Sequence, residues 1–389
     1  MDQSSRQDAT TRAREIAPII AAESDAIERE RRLTGTTLEA LHQGRIFRML
    51  LAEEFGGDAV HPAEYVRAVE EISRADGSAG WVVFVANSAA LLAAFMEPTA
   101  AQLVFGDARA TAAWGPPGTP VALAVPGGYR VSGRWGFASG CLHASWMGAH
   151  CQVREPDGSL RRHASGRPAI RSLMFPAERA RIIDDWHVIG LRGTASNSYE
   201  VEDLFVPETF SATREDMRAV HTPGKLSSFS QMGLYAVGSA AVALGLARGM
   251  LSAFVDIART KTPRGIAPLA QNPVVHMQLA QTEARLAAAH AFLVEALEEA
   301  YAIAEPAEPL SQAVRARVRL AAIHALDTAA EVGDFAYKAA GTDAIFLGGP
   351  IERRFRDIHT VCQQIQARQA NFEPLGKVLL GQEPEGVTL

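Results

Sequence analysis

The stretch that most limits how this chain can fold is Ser228 to Thr260, where Gly233, Gly238, Gly245 and Gly249 recur among Ala and Leu. Small residues at that spacing let neighbouring helices approach closely, although each Gly lowers helix propensity by ~1 kcal/mol relative to Ala. Pro273 to Ala304, Ser311 to Ala340 and Ile351 to Phe372 follow with helical periodicity, and Gly341 is placed to close the second of these. Four long helices with short connections make an antiparallel bundle the simplest assembly.

The rest of the chain divides by texture. Up to about Phe105 it reads as helical. Leu38, Leu41, Ile46, Phe47 and Leu50 recur at roughly helical spacing after a candidate N-cap at Thr36 or Thr37. Pro62 opens a helix with Tyr65, Val66, Val69 and Ile72 on one face, Ser78 to Phe95 forms a third helix poor in charge, and Pro98 starts a short fourth. From about Ala110 the apolar runs shorten between the turn signals Gly115-Pro116-Pro117-Gly118 and Pro126-Gly127-Gly128. Strands are expected at Tyr129 to Gly133, Trp146 to Val153, Ser172 to Phe175, Ile182 to Val188 and Ser198 to Val206, with a hairpin tip at Glu155 to Gly158. The expected class is α+β, mostly α: an N-terminal helical domain (1–109), a middle β-barrel-like domain (110–215) and a C-terminal helical bundle (216–389).

The composition excludes several functions. A net charge of −6 offers no basic field for nucleic acid or anionic lipid. Three cysteines without a CxxC pair argue against a disulfide framework or a structural zinc site, and the scattered histidines share no ligand spacing, so no metal is expected. No apolar run reaches the ~18 residues of a membrane span. Met1 to Thr11 is polar with both charge signs, unlike a secretory or transit segment, so a cytoplasmic location is expected.

One run concentrates chemistry. Arg134-Trp135-Gly136-Phe137-Ala138-Ser139-Gly140, followed by Cys141 to Trp146, combines rings, small residues and a hydroxyl. A flat aromatic ligand against exposed backbone calls for that mixture; so does a strand turning inside a β core, with Trp and Phe as filling. Composition alone leaves both open.

The layout resembles the acyl-CoA dehydrogenase fold, and three segments are similar to its branch of two-component flavin-dependent monooxygenases, the oxygenases of hydroxyphenylacetate, steroid-phenol and dibenzothiophene metabolism. These are Trp135 to Gly140, Trp186 to Ser196 and Arg353 to Thr360. The resemblance implies an exchangeable reduced FMN or FAD from a separate reductase, O2 as co-substrate, a C4a-hydroperoxide sheltered from water, and a homotetramer. It places Ser139 beside flavin N5, Phe137 and Ala138 as a dry wall and close backbone, Trp114 and Trp135 around the flavin, and Thr194 and Ser196 in a second flavin-contacting segment. For the flavin phosphate it points to a basic group after the first bundle helix, with Arg264 preferred over Arg259 and Lys261 and expected to reach a neighbouring subunit. Arg354 and Asp357 are expected to pair on one helix face for structural reasons.

The departures bear on substrate. Phenol-hydroxylating members resemble one another in a histidine a few positions after the Arg-Asp pair; this chain has Gln364 there, and Ser88 to Leu91 where a second histidine is expected. Glutamine can donate and accept hydrogen bonds but moves no proton at neutral pH. A substrate that is already nucleophilic is therefore favoured: an indole ring, an amine, a sulfur or an enol-like polyketide carbon. His143, four residues from Ser139, is a candidate for the site, and His359 could reach it from the last helix. An acyl-CoA dehydrogenase is the alternative enzyme, but Gln363 to Gln366 supplies no carboxylate base and Ala113 to Pro117 replaces the Thr-Glu-Pro flavin loop. A non-catalytic binding or assembly protein is the third alternative, and no GxGxxG nicotinamide fingerprint follows a strand.

Overall fold

The computed structural model describes residues 7–384 except 117–119, 164–165, 214–215, 217–218 and 266. The expected turn at Pro117-Gly118 and the boundary at residue 215 lie outside the described residues. The N-terminal region holds α1 (Ala9–Glu30), α2 (Gly35–Gln43), α3 (Pro62–Ala75), α4 (Gly77–Ala90) and α5 (Pro98–Phe105). Thr34, not Thr36 or Thr37, caps α2, its hydroxyl accepting from Thr37 N–H. Asp76 ends α3 and caps α4, so the two helices join at one residue.

The middle region supplies β1 (Ala112–Trp114), β2 (Val121–Val125), β3 (Gly128–Trp135), β4 (Trp146–Arg154), β5 (Ile170–Pro176), β6 (Arg181–Ile183), β7 (Ser198–Pro207) and β8 (Ser211–Ala212). They form one sheet in the order β6-β7-β3-β2-β4-β5-β8, with β1 beside β4, and among the described residues its end strands do not pair with each other. The strand expected to run to Val188 stops at Ile183, because the Asn197 side-chain oxygen accepts from the Asp185 and Trp186 N–H groups, while the Asp185 carboxylate accepts from Ser198 N–H. Side chains alternate between two cores. Ala113, Trp135, Leu173, Phe175 and Tyr199 fill one face, while Ala112, Trp114 and Met174 pack against the residues that follow α4 and against α5.

The C-terminal helices are α6 (Gln231–Thr260), α7 (Pro273–Ala302), α8 (Gln312–Ala340), α9 (Glu352–Val361) and α10 (Phe372–Leu379). Ile351 to Phe372 is thus not one long helix. It breaks after Val361, where Gln364 turns extended and its side chain accepts from Gln366 N–H, and Asn371 Nδ2 donates to the Ile365 and Gln366 carbonyls. The glycines of α6 act as expected at Gly238, where a Cβ would come within 2.2 Å of the Phe84 ring.

The sequence expectation about membranes needs correction. Gly77–Phe95 and Gln231–Thr260 are long and apolar enough to cross a bilayer, but 94% and 67% of their most apolar windows are buried in the protein, so their apolarity is that of core helices.

Candidate active site

Strands β3 and β7 pair antiparallel up to Trp135 opposite Tyr199, so the chain leaving β3 and the chain entering β7 run side by side off the sheet. They stay zipped. Ala138 N–H donates to Asn197 O (3.1 Å), Gly140 N–H to Thr194 O (2.8 Å), and the Cys141 thiol to Ala195 O (3.1 Å). The first turn of α4 closes the arrangement: Ser78 Oγ accepts from Gly193 N–H at 3.1 Å. Only glycine fits at 193, because a Cβ would meet Ile27 of α1 at 2.1 Å.

A continuous chain of hydroxyls lies in this junction. Trp81 Nε1 donates to Ser139 Oγ at 2.9 Å. Ser139 Oγ lies 2.7 Å from Ser196 Oγ, and Ser196 Oγ 2.6 Å from Thr194 Oγ1. Thr194 Oγ1 donates to Leu191 O at 2.8 Å, a carbonyl that also accepts from Trp186 Nε1 at 3.0 Å. Ser139 is 6% exposed, yet its neighbour Phe137 is 67% exposed and meets the edge of Trp186 at 5.9 Å between centroids. An open aromatic face therefore borders a nearly buried hydroxyl.

The backbone here is strained. Phe137 (φ +57°), Leu191 (φ +52°) and Ala195 (φ +47°) all occupy the left-handed region without being glycine, a state that costs roughly 1–3 kcal/mol per residue and persists only where surroundings hold it. One such hold is Asp357 of α9, whose Oδ1 accepts from Leu191 N–H at 2.6 Å. Burial, reinforced by nearby Asp76, pushes the Asp357 carboxyl up to about 7. Asp76 is also raised by burial, against the opposing pull of its hydrogen bond from Ala79 N–H.

Family models match both helical ends: the acyl-CoA dehydrogenase N-terminal domain over residues 5–102 and the C-terminal domain over 237–369. Indole-3-acetate monooxygenase of Pseudomonas putida is 30% identical, with 92% of this chain and 90% of the relative covered. The oxygenase component of the FADH(2)-dependent resorcinol hydroxylase of a Rhizobium species is also 30% identical, over 95% and 93%. The structure of XiaF from a Streptomyces species, in complex with FADH2 and glycerol, superposes with a TM-score of 0.88 at 25% identity, over 98% of this chain and 97% of that one. The chain is a flavin-dependent monooxygenase of the acyl-CoA dehydrogenase fold.

In this monooxygenase the residues singled out from the sequence separate into groups. Ser139, Thr194 and Ser196 come together with Phe137 and the buried Ala138. Trp114 and Trp135 do not join them and have to be reassigned to the sheet core. Trp135 is 2% exposed, stacks on Tyr199 at 5.2 Å and spends its indole N–H on His150 O (3.1 Å); Trp114 packs on His150 at 4.8 Å. Neither has surface left for a cofactor. The end of the strand explains the difference: Trp135 is the last residue of β3 and faces the core, whereas Phe137 lies past it, with left-handed backbone that breaks the alternation.

His143 is a brace between domains. Its Nε2 accepts from Leu33 N–H at 3.1 Å, so the tautomer assigned by that bond leaves the proton on Nδ1, buried without a partner among the described residues. Burial pushes this imidazole down to about 4. His359 turns to Asp334 at 3.0 Å. Arg354 and Asp357 do not form the expected pair: Arg354 donates to Arg74 O and Pro350 O. Arg264 sits exposed in a turn beyond α6, while Lys261 is spent on Ala340 O and Asp343, and Arg259 on Asp256. Gly238 lies against Phe84, which touches Trp81. At 1.5 Å per residue the helix from there to Thr260 spans about 33 Å, so Arg264 follows the end of α6 that is remote from Ser139 of its own chain.

Two residues were missed. Trp81 reads as one more apolar residue of α4; only its indole N–H, which reaches across to Ser139, sets it apart. Gln366 is 1% exposed, with no partner for either amide atom among the described residues, and is more deeply buried than the Gln364 expected at the site. Its signal was only a third glutamine in a run of four residues. No group of His, Cys, Asp and Glu able to hold a metal occurs among the described residues.

Proposed function

We propose that this chain is the oxygenase component of a two-component system, taking reduced FMN or FAD from a separate reductase and oxygenating an aromatic or heteroaromatic small molecule with O2. The observation that carries the proposal is the hydrogen-bonded Ser139 hydroxyl beside the open face of Phe137. The residues fit a reduced flavin: a flat ring can cover Phe137, and Ser139 Oγ, with one hydrogen bond accepted and one shared, retains a lone pair for an N–H donor. Reduced flavin supplies the electrons that activate O2.

The chain's own part is to bind, orient and dry the site. Ser139 would meet flavin N5, the buried Ala138 allows close backbone approach, and Phe137 with Trp186 keeps water from the reacting face. The flavin phosphate is assigned to Arg264 of another copy in a homotetramer, which the length of α6 supports. To the substrate side we assign Gln364, whose Nε2 is buried without a partner among the described residues, and Gln366. Their amides can hydrogen-bond a substrate but cannot deprotonate it, and His143 and His359 are engaged elsewhere. The substrate must then bring its own nucleophilicity. An indole-type ring is the first choice, and indole-3-acetate monooxygenase is among the relatives.

The test is anaerobic loading with reduced flavin followed by O2 in a stopped-flow instrument, with and without indoles. A resolved lag before oxidised-flavin absorbance rises, together with an oxygenated indole, supports the proposal. Immediate reoxidation, releasing only hydrogen peroxide, sinks it.

A further inference from the structure

Each hydroxyl carries one proton, and that sets the direction of the chain of bonds at Ser139. Leu191 O can only accept, so Thr194 spends its proton there, at 2.8 Å. Thr194 Oγ1 must then accept from Ser196 (2.6 Å), and Ser196, its proton committed, must accept from Ser139 (2.7 Å). At the other end Trp81 Nε1–H, a donor only, points at Ser139 Oγ (2.9 Å). Ser139 has no proton left to offer. All four side chains belong to buried residues, so bulk water does not stand ready to reorient them. The Leu191 carbonyl that polarises the series is itself held, by Trp186 Nε1 on its oxygen and by Asp357 on its N–H.

We propose that Ser196 and Thr194 are positioning residues that hold Ser139 as a hydrogen-bond acceptor, and that the site thereby selects reduced over oxidised flavin. The proposal rests on the placement of Ser139 at flavin N5 made above. N5 of reduced flavin carries hydrogen and can donate to Ser139. N5 of oxidised flavin carries a lone pair, which would face the lone pair of Ser139. The difference between a made and an unmade hydrogen bond at a buried site corresponds to roughly tenfold in affinity or more. Such a preference suits an enzyme that must take up reduced flavin and let oxidised flavin go.

The test is anaerobic equilibrium titration of the full chain with reduced and oxidised FMN and FAD, for wild type, Ser139→Ala, Ser196→Ala and Thr194→Val. Removing either acceptor frees a proton that Ser139 can turn toward oxidised N5. The wild-type preference for the reduced form is expected to fall about tenfold in Ser196→Ala and Thr194→Val. A preference that changes in Ser139→Ala but not in those two variants overturns the proton direction and leaves the flavin placement standing. A preference unchanged in all three overturns both. A measurement without variants guards against misfolding: the oxidised 5-deaza flavins, with C–H in place of N5, should bind wild type several-fold tighter than the oxidised parent flavins. Equal or weaker binding overturns the proposal.

Discussion

Phe137 and Ser139 stand two residues apart, one open to solvent and the other nearly closed to it. The left-handed backbone at Phe137 makes this possible by breaking the alternation of β3. Ser139→Ala removes a nearly buried acceptor that lies two residues from the open Phe137 face. We expect its ratio of oxygenated product to hydrogen peroxide to fall about tenfold to a hundredfold, by the usual cost of a lost hydrogen bond at a buried site; an unchanged ratio, read by peroxide assay beside product chromatography, refutes the role. Gln366 gives a second expectation. An orphaned buried amide costs about 1–3 kcal/mol, so Gln366→Leu should raise urea-unfolding stability of the flavin-free protein by about 1 kcal/mol while raising substrate KM several-fold. At this scale the sequence was readable where chemistry and spacing coincide, as in Trp135 to Gly140 and Gly193 to Ser196. It was unreadable where one indole differs from another only by the face it takes: Trp81 entered the junction, whereas Trp114 and Trp135 went to the sheet core.

Helix α6 is shaped by what must touch it. Gly238→Ala should improve helix propensity by ~1 kcal/mol, yet the new methyl would press on Phe84 and Tyr65. Overpacking of that kind costs about 1–3 kcal/mol, and we expect a net loss in chemical denaturation. Helix α9 makes a pH-dependent contribution through Asp357. Its folded carboxyl titrates near 7, above the ordinary 3.8, mainly through burial and then through Asp76, with Glu28 adding repulsion and Arg356 opposing. Between those values the folded chain holds a proton that the unfolded chain has lost. The sign is therefore a loss of stability as pH rises toward 7, at most about 1.4 kcal/mol per unit, and no further loss above it. Melting curves of wild type and Asp357→Asn from pH 5 to 8.5 check this: the wild type should lose ground to the variant up to about pH 7 and then hold level. A wild type that gains ground over that range would contradict it. The long helices were legible from periodicity and caps. The break between α9 and α10 was not, because side-chain capping by Gln364 and Asn371 leaves no Gly or Pro to announce it.

At the scale of the whole molecule, the helical, β and helical layout followed from changes in apolar period along the chain. What the period could not disclose was how its parts meet, since residues 81, 139, 196 and 357 have no pattern in common. The exposed run Ile345-Phe346-Leu347, beside Gly348 and Gly349, is a surface that a second copy can cover. Light scattering should give about four times 41.7 kDa, and Phe346→Asp should reduce that mass and weaken flavin binding together. Loss of neither would argue against a shared site. The bond from Leu191 to Asp357 spans 166 residues, and this has a consequence for synthesis. A nascent chain on the ribosome can complete its β sheet long before α9 emerges, but the turn that carries Thr194 and Ser196 lacks its clasp until then. Competence to take up flavin is thus among the last properties the growing polypeptide acquires, and a chain released before Asp357 would carry most of the fold without it.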